Sequence, residues 1–527
     1  MESGRRLFLE RAGRLAGLAA LASAFPATAL ARAAGYPFTL GVASGSPRPD
    51  SIVLWTRLLP DPLNAQALPP LAYNVKWELS YDDGFRHIAA KGETTALPEL
   101  AHSVHVDVGG LQPDRWYWYR FMLGDAISPT GRTRTAPAAD TMPLGLRMAV
   151  GSCQHWEFGE YAAHRHIAAS NPDVVVFLGD YIYEWGPMEL AHPAKPRRKI
   201  ESVDLASYRG RYAQYKSDPH LQAAHHAAPW IVTWDDHEIS NDYANDRDER
   251  ADPNFLQRRA AAYQAFYEHM PVRLPPLSTD PLRFANMRIY DRYDWGRLAR
   301  LHVLDDRQYR AYQVCPKGGG GSTSLTTAEC VERINPSRTM LGTEQERWLA
   351  QGFAGSGAKW NVLAQQTLMA QCSQTPVMAE GEGKFWTDGW DGYPIARQRL
   401  FDDLQKHKPS NPVVISGDVH TFYAANLKRD FYSKASPANP ILATEFCGTS
   451  ITSSSRPQER TDQYVAQNPH IKFGRSDKRG FMLLDVSAKQ MNSYFLALDD
   501  VLRADSGIST LASFAVEDGR PGVVQRG

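Results

Sequence analysis

The chain has 527 residues, enough for two or more domains with separate cores, and its 43% hydrophobic and 22% charged content is that of a folded globular protein. Lys and Arg total 58 and so do Asp and Glu, giving a formal net charge of +0. That balance gives no nucleic-acid footprint and no electrostatically held membrane surface, so no stable nucleic-acid complex is expected and any affinity for anions must be local.

Residues 1–31 read as an export signal. Gly4-Arg5-Arg6-Leu7-Phe8-Leu9 supplies paired arginines, Leu15 to Ala24 a short apolar core, and Ala29-Leu30-Ala31 a small-residue cleavage site. The pair resembles a twin-arginine signal, with an ordinary secretory signal as the alternative; Glu10 stands where twin-arginine signals often carry Lys. Twin-arginine export machinery is thus an expected partner, and the mature protein is expected to be periplasmic or secreted. No later run of apolar residues is long enough to cross a membrane.

Residues 36–137 carry short alternating runs at 51–57, 75–80, 103–108 and 116–121, each bounded by Gly, Pro or Asp. This spacing predicts a small β-sandwich. Leu111-Gln112-Pro113 followed by Trp116-Tyr117-Trp118-Tyr119 is similar to a fibronectin-III-like module, its aromatics reading as core, and 131–137 reads as the exit linker.

From 143 to 527 strand-like and helical runs alternate, which predicts a layered α/β domain with helices outside the sheets. Helical spacing marks 257–269 and 344–353, and 360–364 is strand-like. Four strand-like runs lead into chemistry. Residues 144–150 lead to Gly151-Ser152-Cys153, 174–178 to Gly179-Asp180-Tyr181-Ile182-Tyr183, 229–234 to Asp235-Asp236-His237-Glu238, and 412–416 to Gly417-Asp418-Val419-His420. The last three are continuously apolar, as strands buried on both faces are. Ligands of open α/β sheets bind beyond the carboxyl ends of strands, so these segments are expected to meet there.

If they meet, Cys153, Asp180, Tyr183, Asp236, Asp418 and His420 place up to five potential anions in one crevice. Such a crowd either drives pKa values up or is filled by cations, for which carboxylate, phenolate and imidazole are suitable donors. Tyr183 follows Asp180 by three residues, so one turn aims both at one ion. His420 is expected on the same face as Asp418 by strand alternation. Taken singly, a Gly-Asp is usually a turn, Asp235 fits a helix N-cap and Cys153 a buried thiol. Their joint occurrence is the signal.

Five cysteines leave at least one unpaired. Cys315 and Cys330 are expected to bridge across the glycine run 318–321, itself read as a surface loop. Cys372 and Cys447 either pair or remain buried thiols, and Cys153 is left out.

Together with Gly41-Val42-Ala43-Ser44-Gly45, Leu54-Trp55-Thr56-Arg57, Arg307-Gln308-Tyr309-Arg310, Asp391-Gly392-Tyr393-Pro394 and Thr449-Ser450-Ile451-Thr452, these motifs resemble the alkaline phosphatase D family of calcineurin-like metallophosphoesterases. The resemblance spans nearly the whole mature chain. It implies Fe3+ and Ca2+: Cys153, Asp180, Tyr183 and His420 on iron, Asp180 bridging, Asp236 and Asp418 on calcium, with Asp235, Asn241 and Gln365 as further candidates. Asp236 and Asp418 stand where related phosphatases carry asparagine and histidine, and carboxylates there favour a harder ion. The implied activity is hydrolysis of small phosphodiesters, phosphomonoesters or both by a cation-activated water. His237 is a candidate general acid or a hydrogen-bond partner of Asp236; Arg307 either binds a phosphate oxygen or pairs with Asp305 or Asp306. The rivals are a phospholipid-cleaving phosphodiesterase, with Phe385, Trp386, Trp390 and Tyr393 lining an apolar approach, and a secreted binding module without turnover.

Overall fold

The computed structural model describes residues 35–64, 67–186, 195, 200–273, 284–377 and 382–526; the export signal read at 1–31 lies outside the described residues. A ten-stranded and a seven-stranded sheet lie face to face. At the centre of the first run three parallel strands, Leu146–Gly151, Val174–Phe177 and Trp230–Val232. The second is built on the parallel strands Ala299–Val303, Trp360–Ala364, Pro412–Ser416 and Ile441–Cys447. Val150, Val176 and Ile231 of one sheet pack with Val362, Val413 and Phe446 of the other.

The outer faces are buried as well. Helices Ala162–Ala169, Leu205–Lys216, Pro219–Ala227 and Phe255–His269 contribute to an aromatic-rich cluster with Val175, Phe177 and Trp230. Gly342–Ala354 and Pro394–His407 pack with Leu363 and Val414 of the second sheet. Central strands covered on both sides must be apolar throughout, which is why these segments read as unbroken hydrophobic runs. The predicted α/β layering, helices outside, is the observed one.

The amino-terminal strands form two layers around a core containing Leu54, Val104, Leu79 and Phe121. One layer is the sheet of Ile88–Ala96, Tyr73–Ser80, Trp116–Leu123 and Ala126–Ile127, with Gly131–Arg134 paired to the third of these. The other consists of Val42–Gly45, Ile52–Arg57 and Ser103–Val108, and it is continuous with the ten-stranded sheet: Gly45 pairs in parallel with Trp230. The short alternating runs predicted a small β-sandwich but not a layer shared with the ten-stranded sheet. Trp55, fully buried, fixes the join by donating its indole N–H to the Glu268 carbonyl at 3.0 Å.

Cys315 and Cys330 form the expected disulfide, while Cys153, Cys372 and Cys447 are free thiols. The glycine run is more than a surface loop: the Gly320 N–H donates to the Glu249 carbonyl at 2.8 Å, and the Ser322 N–H to Asp242 at 2.8 Å. No helix among the described residues is long and apolar enough to cross a membrane.

Candidate metal centre

Three parallel strands of the first sheet and Pro412–Ser416 of the second send their following loops to one crevice. Backbone bonds stitch the first two loops together: Leu178 N–H to Gly151 O, Cys153 N–H to Gly179 O and Gln154 N–H to Asp180 O, each 3.0 Å. The buried Glu238 carboxylate joins the second loop to the third, accepting the N–H groups of Asp180 at 3.1 Å, Tyr181 at 2.5 Å and Asp235 at 2.8 Å.

Cys153, Asp180, Asp418 and His420 all adopt left-handed backbone, at φ 60, 54, 61 and 53°. A non-glycine residue held there costs on the order of 1 to 3 kcal/mol, and such residues gather at functional sites. The conformation reverses each loop and aims its side chain back toward the crevice. For His420 this replaces the expected strand alternation, because the strand has ended at Ser416.

Gly179, at φ 106°, has no room for a side chain: a Cβ would lie 2.5 Å from the Asp235 nitrogen. Gly179→Ala is therefore expected to displace the Asp235-Asp236 loop and lower metal content and activity together, by more than about tenfold. Elemental analysis beside an activity assay checks this; full metal occupancy in the variant would count against it.

The donor atoms of Cys153, Asp180 and His420 lie within 4.8 Å of one another. The Tyr183 hydroxyl joins them, 2.8 Å from Asp180 Oδ2 and 3.2 Å from His420 Nε2, and accepts from Ser453 at 2.8 Å. Nδ1 of His420 donates to the Ser454 carbonyl at 2.6 Å, which leaves Nε2 as the free donor atom. Adjoining trios within the same 4.8 Å limit are Asp180, Asp236 and His237; Asp235, Asp236 and Asp418; and Asp236, Asp242 and Asp388. All six sequence-predicted ligands are thus brought together.

Cations fit this arrangement on structural grounds. Oδ2 of Asp418 and Oδ2 of Asp235 are buried without a hydrogen-bond partner. Burial, reinforced by neighbouring acids, raises the Cys153 thiol and the Asp180 carboxyl well above their ordinary ranges; burial takes Asp418 to about 6. Burial lowers the His420 imidazole to about 3. Asp236 goes the other way: burial pushes it up, but Arg307, His237, the Asp242 N–H and Arg310 together outweigh burial. Orphaned oxygens on acids that resist ionising are what bound cations relieve.

Arg307 is 0% exposed. Its guanidinium pairs with Asp235 and Asp388, and Nη2 lies 3.6 Å from Asp236 and 3.5 Å from Asp418. From Arg307, Asp305 accepts the backbone N–H alone, at 3.0 Å, and Asp306 is not an ion-pair partner among the described residues. The arginine thus sits beneath the carboxylates, where it offsets their charge. Nδ1 of His237 meets Glu184 at 2.7 Å, its ring stacks on Tyr183 at 4.1 Å between centroids, and only its backbone N–H reaches Asp236, at 3.1 Å.

Gln365 is committed elsewhere, to the Trp390 indole at 3.0 Å and the Thr367 carbonyl, whereas Asn241 lines the crevice. Sequence reasoning assigned no role to Glu184, Glu238 or Asp388. Glu238 closes a motif already singled out and Glu184 directly follows another, while Asp388, which holds both Arg307 and Arg310, lies in a turn-like Thr-Asp-Gly run without a distinguishing signal. The crevice encloses about 530 Å³, with Trp386 and Trp390 on its walls; Phe385 and Tyr393 are fully buried outside it.

A sulfur, a phenol, an imidazole and a belt of carboxylates, delivered to one cleft by two facing sheets, form the layout of a metal-dependent phosphoesterase. A family model described as PhoD-like phosphatase matches residues 148–495, and one described as PhoD-like phosphatase, N-terminal domain, matches residues 23–137. Alkaline phosphatase D of Bacillus subtilis (strain 168) is 43% identical over 537 aligned residues, covering 98% of this chain and 88% of that protein. A solved structure described as the structure of PhoD aligns with a TM-score of 0.86 at 42% identity, covering 94% of this chain and 92% of that one. The chain belongs to the PhoD-like phosphatase family.

Proposed function

We propose that this chain hydrolyses phosphodiesters, phosphomonoesters or both in an exported, metal-loaded form. The observation that carries the reading is the meeting of Cys153, Asp180, Tyr183 and His420 beside Asp236 and Asp418, with carboxylate oxygens left unpartnered. Thiolate and phenolate suit ferric iron, so the first four residues would hold Fe3+; Asp236 and Asp418 would hold Ca2+, with Asp180 shared. When bound, these ions neutralise phosphoryl charge and acidify water.

The chain's own groups do the rest. Burial opposes a charge on His237, but Glu184, Asp236 and Asp180 together outweigh it and raise the imidazole above its ordinary range. Glu184 fixes Nδ1, so the other ring nitrogen is the one free to give its proton to the leaving oxygen. Arg307 acts through the carboxylates it pairs with and not by touching substrate. The paired arginines support periplasmic or secreted placement, and we assign 36–137 to a fibronectin-III-like sandwich and 143–527 to the catalytic domain.

Activity on a chromogenic diester and monoester is expected to fall at least about a hundredfold after prolonged chelation and to return with ferric iron plus calcium. A visible phenolate-to-iron absorption should vanish and reappear in step. Turnover that survives complete metal removal sinks this reading.

A further inference from the structure

Five aspartates line the catalytic crevice, yet its only Arg or Lys side chains among the described residues are Arg456 and Arg460. They stand where the chain enters the helix Gln458–Gln467. Neither forms an ion pair among the described residues. Arg456 is half-buried, donates to the Tyr423 hydroxyl at 3.2 Å, and lies 5.4 Å from the centre of the Tyr464 ring. Arg460 is exposed at the rim.

The acids of the crevice do not account for these two cations. Asp236 and Asp418 lie against Arg307, and Asp391 is paired with Arg397 at 2.8 Å. A guanidinium presents a planar fork matched to phosphate, and two such forks on one rim leave a local positive charge in a chain of zero net charge. About 530 Å³ is also more space than a bare phosphate ester fills, and Trp185 and Trp386 offer flat apolar walls for an organic arm.

We propose that Arg456 and Arg460 form a second anion subsite, so that the preferred substrates are phosphodiesters carrying a further phosphate on the organic arm that stays on the scissile phosphorus. This rests on the phosphoesterase reading and narrows it to a substrate class. The chemistry at the scissile ester is unchanged; the added phosphate contributes binding, which appears mainly in KM.

A matched pair of chromogenic esters isolates the effect: thymidine 5′-(p-nitrophenyl phosphate), and the same compound bearing a 3′-phosphate. With the metal-loaded protein, kcat/KM is expected to favour the 3′-phosphorylated ester by about tenfold, the size of about one charge-assisted hydrogen bond at a solvent-exposed rim. The ratio should fall toward one in the Arg456→Gln/Arg460→Gln double variant, and in the unchanged protein as salt is raised to about 0.5 M. Arg460→Gln alone alters an exposed side chain outside the core and should lose part of the ratio, so a folding defect of the double variant does not decide the matter. A ratio near one in the unchanged protein, or one that survives both variants, overturns the subsite. If neither diester is cleaved while p-nitrophenyl phosphate is, the diester subsite is overturned; if all three stay intact, the hydrolase reading itself is overturned; equal cleavage of the two diesters overturns only the subsite.

Discussion

Asp180→Asn is expected to lower kcat/KM on a chromogenic phosphodiester by about three orders of magnitude, roughly 4 kcal/mol of barrier, and to release bound metal. Asp180 shares its carboxylate between two donor groupings, one with Cys153 and His420 and one with Asp236 and His237. An amide keeps the shape but carries no charge and has one oxygen, so neither grouping is complete. Stability offers a separate check. Burial and the neighbouring Asp236, Glu238 and Asp418 raise the Asp180 carboxyl well above its ordinary 3.8. In metal-free protein its contribution is therefore fully present below about 3.8 and is lost as pH rises, because ionisation is resisted in the folded state. At neutral pH the metal-free variant should melt no lower than the metal-free parent, while the metal-loaded parent should melt higher than either. Calorimetry of the three forms tests this, and a variant that keeps both its metals and its activity would remove Asp180 from the centre.

Arg307→Met should act on stability first. Methionine leaves Asp235, Asp236, Asp388 and Asp418 buried without their shared cation, and breaking a buried pair in this way costs roughly 3 to 5 kcal/mol. Arg307→Lys should recover little, because one ammonium cannot reproduce a fork that meets Asp235 and Asp388 at once. Denaturant titration gives the answer. The opposite pattern, an unchanged midpoint with a raised KM, would favour phosphate binding, the other of the two roles that the sequence left open for Arg307.

The strands that carry the centre were legible because burial on both faces leaves no polar positions to break the pattern, as in 174–178 and 412–416. The six candidate ligands could be singled out because each follows a strand-like run. Residues whose work is done by backbone or by distant pairing were harder to see. Nothing in Asp388 marks it as the partner of Arg307, since the two are joined only by the fold. The left-handed turn at His420 is a backbone choice that its residue type does not announce. Glu238 stood inside a quoted motif and Glu184 just beyond another, but their roles depend on which N–H groups the neighbouring loops present. The docking of the glycine run against Glu249 depends likewise on a close backbone approach that composition does not encode.

The seam between Gly45 and Trp230 bears on any attempt to whittle the protein down to a minimal enzyme. Discarding 36–137 would strip Trp230–Val232 of a neighbour on one side and leave a raw strand margin next to the Asp235-Asp236 loop. Bare margins of that kind recruit other chains. Such a truncation is expected to emerge as inclusion bodies, which solubility after expression would reveal: the amino-terminal strands are selvedge to the catalytic fabric.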